Sequence, residues 1–278
     1  NLFLGINMTD ILKAYQYLLD NECLPIQQQE LGRIDAILGK TGLCIIAGYH
    51  GSGKSSLARR YSHYREPLRR VYCKDLSIQD IPTELEKDDQ PVFLDSVTNL
   101  LYDEEVFETI RERAKNSPVV LGVHIEPRNN KSLFQQHQNS LIIVGSLNYD
   151  DAKLLAGYPL EEVPNLDRLL QYSGMRRRDL INLCMEAYSV RDDFSTESVE
   201  EGTASLADKS QRVYKHIFEE HFTEQQRELI KRILAGNSKS PNNIEVEILA
   251  RTGMIKDKNE ELTLNGKLLE LIFRKVLS

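Results

Sequence analysis

The chain has 278 residues, which is enough for one large domain or for two to three small ones. Its hydrophobic fraction of 41% and charged fraction of 28% are those of an ordinary globular protein, and no apolar stretch approaches the length that a membrane span needs. The net charge of −7 argues against a uniformly basic, nucleic-acid-binding surface, although a local basic patch stays compatible with it.

The four cysteines are scattered along the chain with no metal-ligand spacing. Cys44 and Cys73 lie in apolar, strand-like runs, and Cys184 lies on an apolar helix face. This usage is typical of reduced, buried thiols in a cytosolic or nuclear protein, and the chain has no signal-peptide pattern that would indicate secretion. Because the chain starts at Asn1 rather than Met, we expect it to be part of a longer protein.

Two helices are predicted before the first strand. Apolar residues at helical spacing over residues 9–19 predict a short helix, which we assign to an N-terminal helical extension of residues 1–21. A second helix carries Leu31, Ile34 and Leu38 on one side, and the glycines at positions 39 and 42 end it.

Residues 43–61, which read LCIIAGYHGSGKSSLARRY, carry the strongest motif of the chain. The apolar start of this stretch has the length and composition of a buried parallel strand. Two glycines that bracket four residues follow, and then come Lys54 and Ser55, which is the P-loop pattern. Apolar residues at helical spacing predict a helix immediately afterwards. The motif therefore lies between a strand and a helix, as a phosphate-binding P-loop requires.

Each residue type in this motif has a physical reason. Glycines let the backbone curl so that its N–H groups form a nest for phosphate oxygens, and the next helix presents the positive end of its dipole to the same anion. Lys54 is expected to reach the β- and γ-phosphates, and the Ser55 hydroxyl is expected to bind Mg²⁺. The predicted nucleotide-binding residues of this motif are Gly48, Tyr49, His50, Gly51, Ser52, Gly53, Lys54, Ser55 and Ser56.

Further apolar runs alternate with helical segments after the P-loop. A helix is predicted over residues 104–116, and the four additional strand candidates are residues 70–73, 90–95, 118–124 and 141–145. Five apolar runs separated by helices predict a parallel sheet covered on both faces. The predicted fold is therefore α/β, with a three-layer P-loop core of five parallel strands over residues 22–148.

The pattern changes to helices alone after the core, which predicts a helical lid domain over residues 149–190. In this domain Asp150 is expected to cap one helix, and Pro164 suits the first turn of the next helix. The polar stretch of residues 191–205 predicts a linker or flexible loop.

Residues 206–278 have a pattern of their own. A capping box over residues 223–226 opens one helix, and Gly253 ends a later one. Apolar segments on both sides of the polar residues 256–261 predict a β-hairpin, and a closing helix follows. Helices followed by a hairpin indicate a C-terminal winged-helix domain.

Asp95 ends the strand candidate of residues 90–95, so its carboxylate is expected at the carboxyl edge of the sheet beside the P-loop. We predict that Asp95 is a catalytic residue that binds Mg²⁺ together with Ser55. The next residue is Ser96, where many hydrolysing P-loop proteins place an acidic residue. Hydrolysis is therefore expected to be slow, or the general base comes from another segment.

The loop after the strand of residues 118–124 offers candidates for that role. Glu126 is one candidate for the general base, although a solvated loop carboxylate is the simpler interpretation. His124 and Arg128 share this loop, and either one is a candidate sensor of the γ-phosphate, with an ordinary loop role as the alternative. In the predicted lid, Arg177 lies in a basic triplet at the head of a helix and is the candidate for a γ-phosphate contact from the lid side.

With these pieces placed, the chain resembles P-loop ATPases of the STAND and AAA+ group, above all archaeal-type STAND ATPases and origin-recognition-like initiator ATPases. The resemblance is carried by GYHGSGKS, by PVFLD and by SGMRR, which resembles a lid sensor helix and maps its arginine to Arg177. QQQELGRI is similar to the adenine-binding segment of such families, with Gln28 where a basic residue is common, and it implies that Ile26 and Gln27 line the base pocket.

The resemblance implies ATP or ADP and Mg²⁺ as ligands and a nucleotide-driven switch that couples nucleotide state to domain arrangement or oligomerisation. Protein partners or self-association in the ATP state are expected, without a membrane, and an arginine from a neighbouring subunit, for which Arg128 is a weak candidate, would complete the site. The first alternative is a DNA-binding AAA+ initiator or loader that holds DNA through its winged helix, although residues 206–278 are only slightly basic. The second alternative is a nucleotide-binding scaffold that does not hydrolyse ATP, as Ser96 suggests.

Overall fold

The computed structural model describes residues 8–20, 24, 26–49, 51–97, 103–127, 132–160, 162–237, 239, 241, 243–258 and 261–278. Of the residues singled out above, Cys23, His50 and Arg128 lie outside these ranges. The chain divides into two compact units. One unit is Gln27–Val144, and the other combines the residues up to Ile26 with Gly145–Ser278.

The unit Gln27–Val144 contains a five-stranded sheet in which every neighbouring pair of strands is parallel. The order across the sheet is β2-β3-β4-β1-β5. This arrangement confirms the predicted α/β fold with five parallel strands. The strands are β1 (Leu43–Gly48), β2 (Arg69–Tyr72), β3 (Val92–Asp95), β4 (Val119–His124) and β5 (Leu141–Ile143).

Parallel neighbours need a crossover connection, and helices α3 (Lys54–Tyr64), α4 (Asp80–Glu86) and α5 (Glu104–Ala114) lie between β1 and β2, β2 and β3, and β3 and β4 along the chain. Helix α2 (Gln28–Thr41) precedes β1. Helices α2 and α3 pack their apolar sides on one face of the sheet, where Cys44, Phe93 and Val120 are buried. All residues of β1 and β3 are buried, which explains why both strands read as continuous apolar runs.

The strand order decides which residues meet at the carboxyl edge of the sheet. β4 lies between β1 and β3, and its register pairs His124 with Gly48 and Gly122 with Asp95. The carboxyl ends of parallel strands point to the same edge, so the P-loop, the end of β3 and the loop after β4 lie side by side.

The second unit is built from helices and one hairpin. The hairpin of β6 (Ile255–Lys258) and β7 (Glu261–Leu264) is antiparallel, as the sequence predicts. The predicted capping box is also present, with Thr223 as the N-cap of α10. The helices of this unit are α1 (Met8–Asp20), α6 (Tyr149–Gly157), α7 (Leu166–Ser173), α8 (Arg177–Arg191), α9 (Thr196–His216), α10 (Glu224–Leu234), α11 (Ile244–Arg251) and α12 (Lys267–Leu277).

The prediction of a linker over residues 191–205 is wrong for most of its length, because α9 begins at Thr196. Ser195 caps this helix by accepting a hydrogen bond from the backbone N–H of Ser198. A Cβ atom added at Gly202 would lie 2.6 Å from the backbone nitrogen of Ala187, so the glycine lets α9 approach α8 closely. The polar, glycine-containing stretch that the sequence predicts as a linker is therefore largely part of a helix that packs closely against α8.

Two details of the helical segment differ from the sequence prediction. The N-cap of α6 is Asn148, whose side chain accepts from the backbone N–H of Asp151, and Asp150 lies in the first turn. Pro164 precedes α7, which begins at Leu166. Asn148 therefore caps α6 in the place expected for Asp150, whereas Asn165, the residue before α7, makes no side-chain capping hydrogen bond.

None of the helices in the described ranges is at once long and apolar enough to cross a lipid bilayer.

Several segments of the second unit meet at the side chain of Asn265, which is 2% exposed. Its Nδ2 amide lies 2.7 Å from Ser146 Oγ, 3.0 Å from the Gly174 carbonyl and 3.0 Å from the Gly253 carbonyl. These groups belong to the segment after β5, the turn between α7 and α8, and the turn after α11. We call this contact the Asn265 junction.

Candidate functional site

The loop between β1 and α3 has the backbone that the glycine pattern predicts. Gly51 has φ of 75° and Gly53 has φ of 103°, a region of backbone space that favours glycine. A Cβ atom at Gly48 would lie 2.4 Å from Ser52 Oγ, so a side chain at Gly48 would collide with the loop. The backbone amides at the start of α3 have no partner within the helix and are the donors that an anion would engage.

Lys54 is 5% exposed and folds back onto the loop. Its Nζ donates to the Gly48 carbonyl at 3.2 Å and to the Tyr49 carbonyl at 3.0 Å, and it lies 3.3 Å from Nδ1 of His124. Burial lowers the pKa of Lys54 to about 8, and the negative charge of Asp95 opposes that shift. The Lys54 ammonium is therefore hydrogen-bonded to two neutral carbonyl groups, and the charge of Asp95 acts on it as well.

Ser55 and Asp95 are in direct contact, although 40 positions separate them. The Ser55 hydroxyl donates to Asp95 Oδ1 at 3.0 Å, and the Asp95 side chain is 2% exposed. Arg70 on β2 forms an ion pair with the other carboxylate oxygen, Oδ2. Arg70 is a residue that the sequence reasoning missed, because only the strand order places β2 beside β3 and its terminal Asp95.

The residues present fit a nucleotide with Mg²⁺ in two ways. The Ser52 Oγ atom is buried and has no hydrogen-bond partner among the residues that the structure describes, as expected of a hydroxyl that a phosphate oxygen would engage. Ser55 and Asp95 offer a hydroxyl and a carboxylate, the hard oxygen ligands that Mg²⁺ prefers. No group of three or more His, Cys, Asp or Glu side chains with metal-site geometry occurs in the described ranges, and Mg²⁺ is usually held by one or two carboxylates plus phosphates.

The residue after Asp95 has unusual backbone geometry. Ser96 has φ of 66°, which non-glycine residues adopt at a cost, and the next residue, Val97, donates its N–H to the Gly122 carbonyl at 3.0 Å. Strained backbone of this kind clusters at functional sites, although here the strain also turns the chain away from the end of β3.

Glu126 and His124 lie at the end of β4. His124 contacts Lys54, and Ile125 donates its backbone N–H to the Gly48 carbonyl at 3.2 Å. The chain therefore passes the start of the P-loop just before Glu126, whose side chain is half-buried. The strand order, which the sequence does not reveal, brings this loop next to the lysine.

Gln27, expected in the base pocket, is buried, and its side chain is held from α3. The Arg60 guanidinium, itself 1% exposed, donates to Gln27 Oε1. Gln27 has φ of 61° and precedes α2. Ile26 is 1% exposed and belongs to the other unit. Arg60 is a second residue that the sequence reasoning missed.

Arg177 lies in the second unit, at the first position of α8, and is 8% exposed. Its Nη2 atom donates to the Leu18 carbonyl at 2.6 Å, so this guanidinium connects α8 to α1. The preceding Arg176 forms an ion pair with Asp179 at 3.2 Å and lies over the ring of Tyr214, with 5.2 Å to its centroid. Of the basic triplet, only Arg178 has an exposed side chain.

The described cysteines are buried free thiols, as expected. Burial raises the pKa of Cys44 to about 12, and burial together with the charges of Asp95 and Glu84 raises the pKa of Cys73 to about 12. The thiolate is the nucleophile of cysteine chemistry, so these two thiols are inert at neutral pH.

A comparison with solved structures finds a Walker-type ATPase of Pyrococcus abyssi. The match has a TM-score of 0.61, an identity of 11%, and coverage of 91% of this chain and 97% of that chain. At this identity the likeness concerns the fold alone, and it extends over nearly the whole of both chains. No protein-family model matches the sequence, and no curated protein matches it.

Proposed function

We propose that this chain binds ATP and ADP with Mg²⁺ and acts as a slow ATPase whose nucleotide state sets its domain arrangement or self-association, in the manner of a STAND-type switch. The observation that carries the proposal is the contact between Ser55 and Asp95 at the end of the P-loop, 3.0 Å apart and next to the buried Lys54. Chance alone does not bring a buried carboxylate to the hydroxyl of this motif.

Nucleotide binding uses the loop and its lysine. The backbone amides from Gly51 to Ser56 surround the β-phosphate, and the Ser52 hydroxyl gains the partner that its burial demands. Lys54 exchanges two neutral carbonyl acceptors for anionic phosphate oxygens, which is favourable because the buried ammonium gains a partner of opposite charge. Bound Mg²⁺, held by Ser55 and Asp95, would neutralise phosphate charge and polarise the γ-phosphoryl group.

Hydrolysis needs a group that orients the attacking water. Glu126 is the proposed general base, because the loop after β4 passes the start of the P-loop. His124 is the proposed sensor of the γ-phosphate, since it lies 3.3 Å from the lysine that binds it. Ser96 supplies no carboxylate at the end of β3, so turnover is expected to be slow.

Coupling to the rest of the molecule follows from differential affinity, since a ligand shifts an equilibrium only by binding one state better than the other. In the proposed ATP state Ile26 and Gln27 line the base pocket, and Arg177 exchanges its Leu18 carbonyl for the γ-phosphate. Protein partners or a second copy of the chain are proposed to bind the ATP state. Arg128 of a neighbouring copy is the proposed arginine that completes the nucleotide site.

The decisive experiment replaces Lys54 by alanine and measures ATP and ADP binding with a fluorescent nucleotide, together with ATP turnover. Loss of the ammonium should abolish binding or turnover, while far-UV circular dichroism shows that the fold survives. Lys40→Ala, at an exposed position near the end of α2, is the matched control and should behave as the original chain. Unchanged ATP affinity in Lys54→Ala would refute the P-loop assignment.

A DNA-binding ATPase is the second candidate, and it is supported by the order of helices and hairpin in residues 206–278, which is compatible with the predicted winged helix. The hairpin carries Lys256 and Lys258 with Asp257 between them, a weaker basic character than DNA contacts usually need. Duplex DNA binding with an affinity that falls steeply with salt would support this candidate over the protein-directed switch. Lys54-dependent turnover would reject a scaffold that binds nucleotide without hydrolysing it.

A further inference from the structure

β2 places an arginine at the buried carboxylate of the site. The strand pairs with β3 so that Tyr72 lies opposite Asp95 and Arg70 lies two residues earlier. The Arg70 Nη2 atom donates to Asp95 Oδ2 at 2.5 Å, whereas the Ser55 hydroxyl donates to Asp95 Oδ1 at 3.0 Å. Each carboxylate oxygen therefore has its own partner.

The ion pair removes an electrostatic cost at this position. Asp95 is 2% exposed, and an ionised carboxylate is expensive to bury unless it is paired and hydrogen-bonded. Arg70 supplies that charge while its own side chain is 35% exposed, so the guanidinium keeps part of its hydration.

A second contact fixes the arginine from the other side. The Arg70 guanidinium carbon lies 5.0 Å from the ring centroid of Tyr72, whose side chain is largely exposed. Such cation–π contacts favour a planar guanidinium over an ammonium. Two partners therefore restrict Arg70 to the orientation in which it meets Oδ2.

We propose that Arg70 is a positioning residue for Mg²⁺: by holding Oδ2 of Asp95, it keeps Oδ1 turned toward Ser55, so that these two residues would hold the ion. The inference rests on the proposed function, and it adds a residue that acts through Asp95. Carboxylates that bind metal ions are commonly oriented by outer hydrogen bonds, and losing such a partner typically costs 10- to 100-fold in metal affinity.

The opposite role is electrostatic competition, in which Arg70 is a counter-ion that Mg²⁺ must displace. Direct displacement requires both cations to occupy the same oxygen, but Arg70 contacts Oδ2 whereas Oδ1 faces the Ser55 hydroxyl. Charge repulsion acts at either oxygen, so the sign of the change in Mg²⁺ affinity decides between the two roles. The two roles predict opposite signs, since removing a competitor tightens Mg²⁺ binding and removing a positioning residue weakens it.

The test titrates Mg²⁺ against the full chain with a fluorescent ADP analogue and compares four proteins: the original chain, Arg70→Ala, Arg70→Lys and Arg69→Ala. Arg69 is the matched control, because it lies on the same strand and pairs with Asp88 and Glu84. Arg70→Ala should raise the Mg²⁺ concentration for half-maximal binding 10- to 100-fold. Arg70→Lys should give a half-maximal Mg²⁺ concentration between those of the original chain and Arg70→Ala. Arg69→Ala should leave that concentration unchanged.

Binding of the analogue in EDTA separates the metal effect from damage to the phosphate loop, and it should be equal in all four proteins. An Arg70→Ala chain with unchanged or tighter Mg²⁺ dependence, at equal affinity in EDTA, overturns the positioning role while leaving the proposed function intact. Absence of nucleotide binding by the original chain overturns both. If Arg70→Ala does not fold, Arg70→Gln, which keeps one amide donor, gives the same comparison.

Discussion

Gly48 and Ser52 face each other across the turn of the P-loop, and they offer a test of the loop geometry at the scale of single residues. A methyl group at Gly48 would lie 2.4 Å from Ser52 Oγ and 3.1 Å from the Val144 carbonyl. Contacts this short force side chains off their rotamers, which typically costs about 1–3 kcal/mol.

We expect Gly48→Ala to destabilise the chain within that range and Ser52→Ala to be close to neutral, because the buried hydroxyl has no partner in the described part of the chain. The double variant should recover part of the loss, since the Oγ atom is then gone. Urea unfolding of the four proteins measures the coupling. Additive effects would mean that the two side chains do not collide and that the loop differs from the one described.

At the same scale, the identity of the site residues was readable from the sequence, whereas their partners were not. Lys54, Ser55 and Asp95 stand in a motif or at a strand end, and both patterns follow from local chemistry. Arg70 and Arg60 escaped notice because an arginine in a strand or helix is usually a solvated residue. Their roles depend on which strands and helices lie next to one another.

At the scale of elements, the contact between α8 and α9 offers a test of how closely the two helices pack. Gly202 faces the backbone of Ala187, and a Cβ there would meet that backbone at 2.6–2.7 Å. Gly→Ala in an exposed helix position usually stabilises a helix by about 1 kcal/mol. Backbone atoms, unlike the end of a side chain, cannot move aside, so the packing cost should exceed that gain.

We therefore expect Gly202→Ala to lower the melting temperature, and Gly32→Ala to raise it. Gly32 lies in the middle of α2 with no atom within 4 Å of an added Cβ, and it is the matched control. Differential scanning calorimetry gives both shifts. A stabilising Gly202→Ala would show that the two helices lie farther apart than described.

The helix α9 is also an element that sequence reasoning missed. The strands of the sheet were predictable, because buried parallel strands are apolar over their full length. Residues 196–205 are rich in Ser, Thr and Gly, which are weaker helix formers than Ala, and the buried side of the helix packs against α8. The buried residues Val199, Gly202, Thr203, Leu206 and Ala207 recur at helical spacing, a local signal that the polar composition obscured.

At the scale of the whole molecule, the strand order and the Asn265 junction are the features that only the structure provides. The order β2-β3-β4-β1-β5 follows from pairing between distant segments, and it decides that His124 meets Lys54. Sequence gave five strands with the correct direction but no order among them.

The junction gives a prediction at this scale. Asn265→Ala removes the donors that meet the Gly174 and Gly253 carbonyls, and leaving buried acceptors unpaired costs about 1–3 kcal/mol. Asn265→Asp should cost more, because a carboxylate would face those carbonyls. Asn237→Ala, at an exposed position, is the control and should stay within about 0.5 kcal/mol. Chemical unfolding measures the free energy of unfolding of all three variants. An unchanged value for Asn265→Ala would mean that the Asn265 junction does not stabilise the second unit.

The hydrogen bonds of the Asn265 side chain also determine where the polypeptide can be cut into stable fragments. Residues 149–190 and 206–278 read as separate modules, yet α9 runs through residue 205 and one asparagine joins the start of α8 to the end of the hairpin. A gene truncated after residue 205 would therefore leave half of α9 and would remove the amide that meets the Gly174 carbonyl and the Ser146 hydroxyl. We expect that trimming from the C-terminus produces insoluble fragments before it produces a minimal domain.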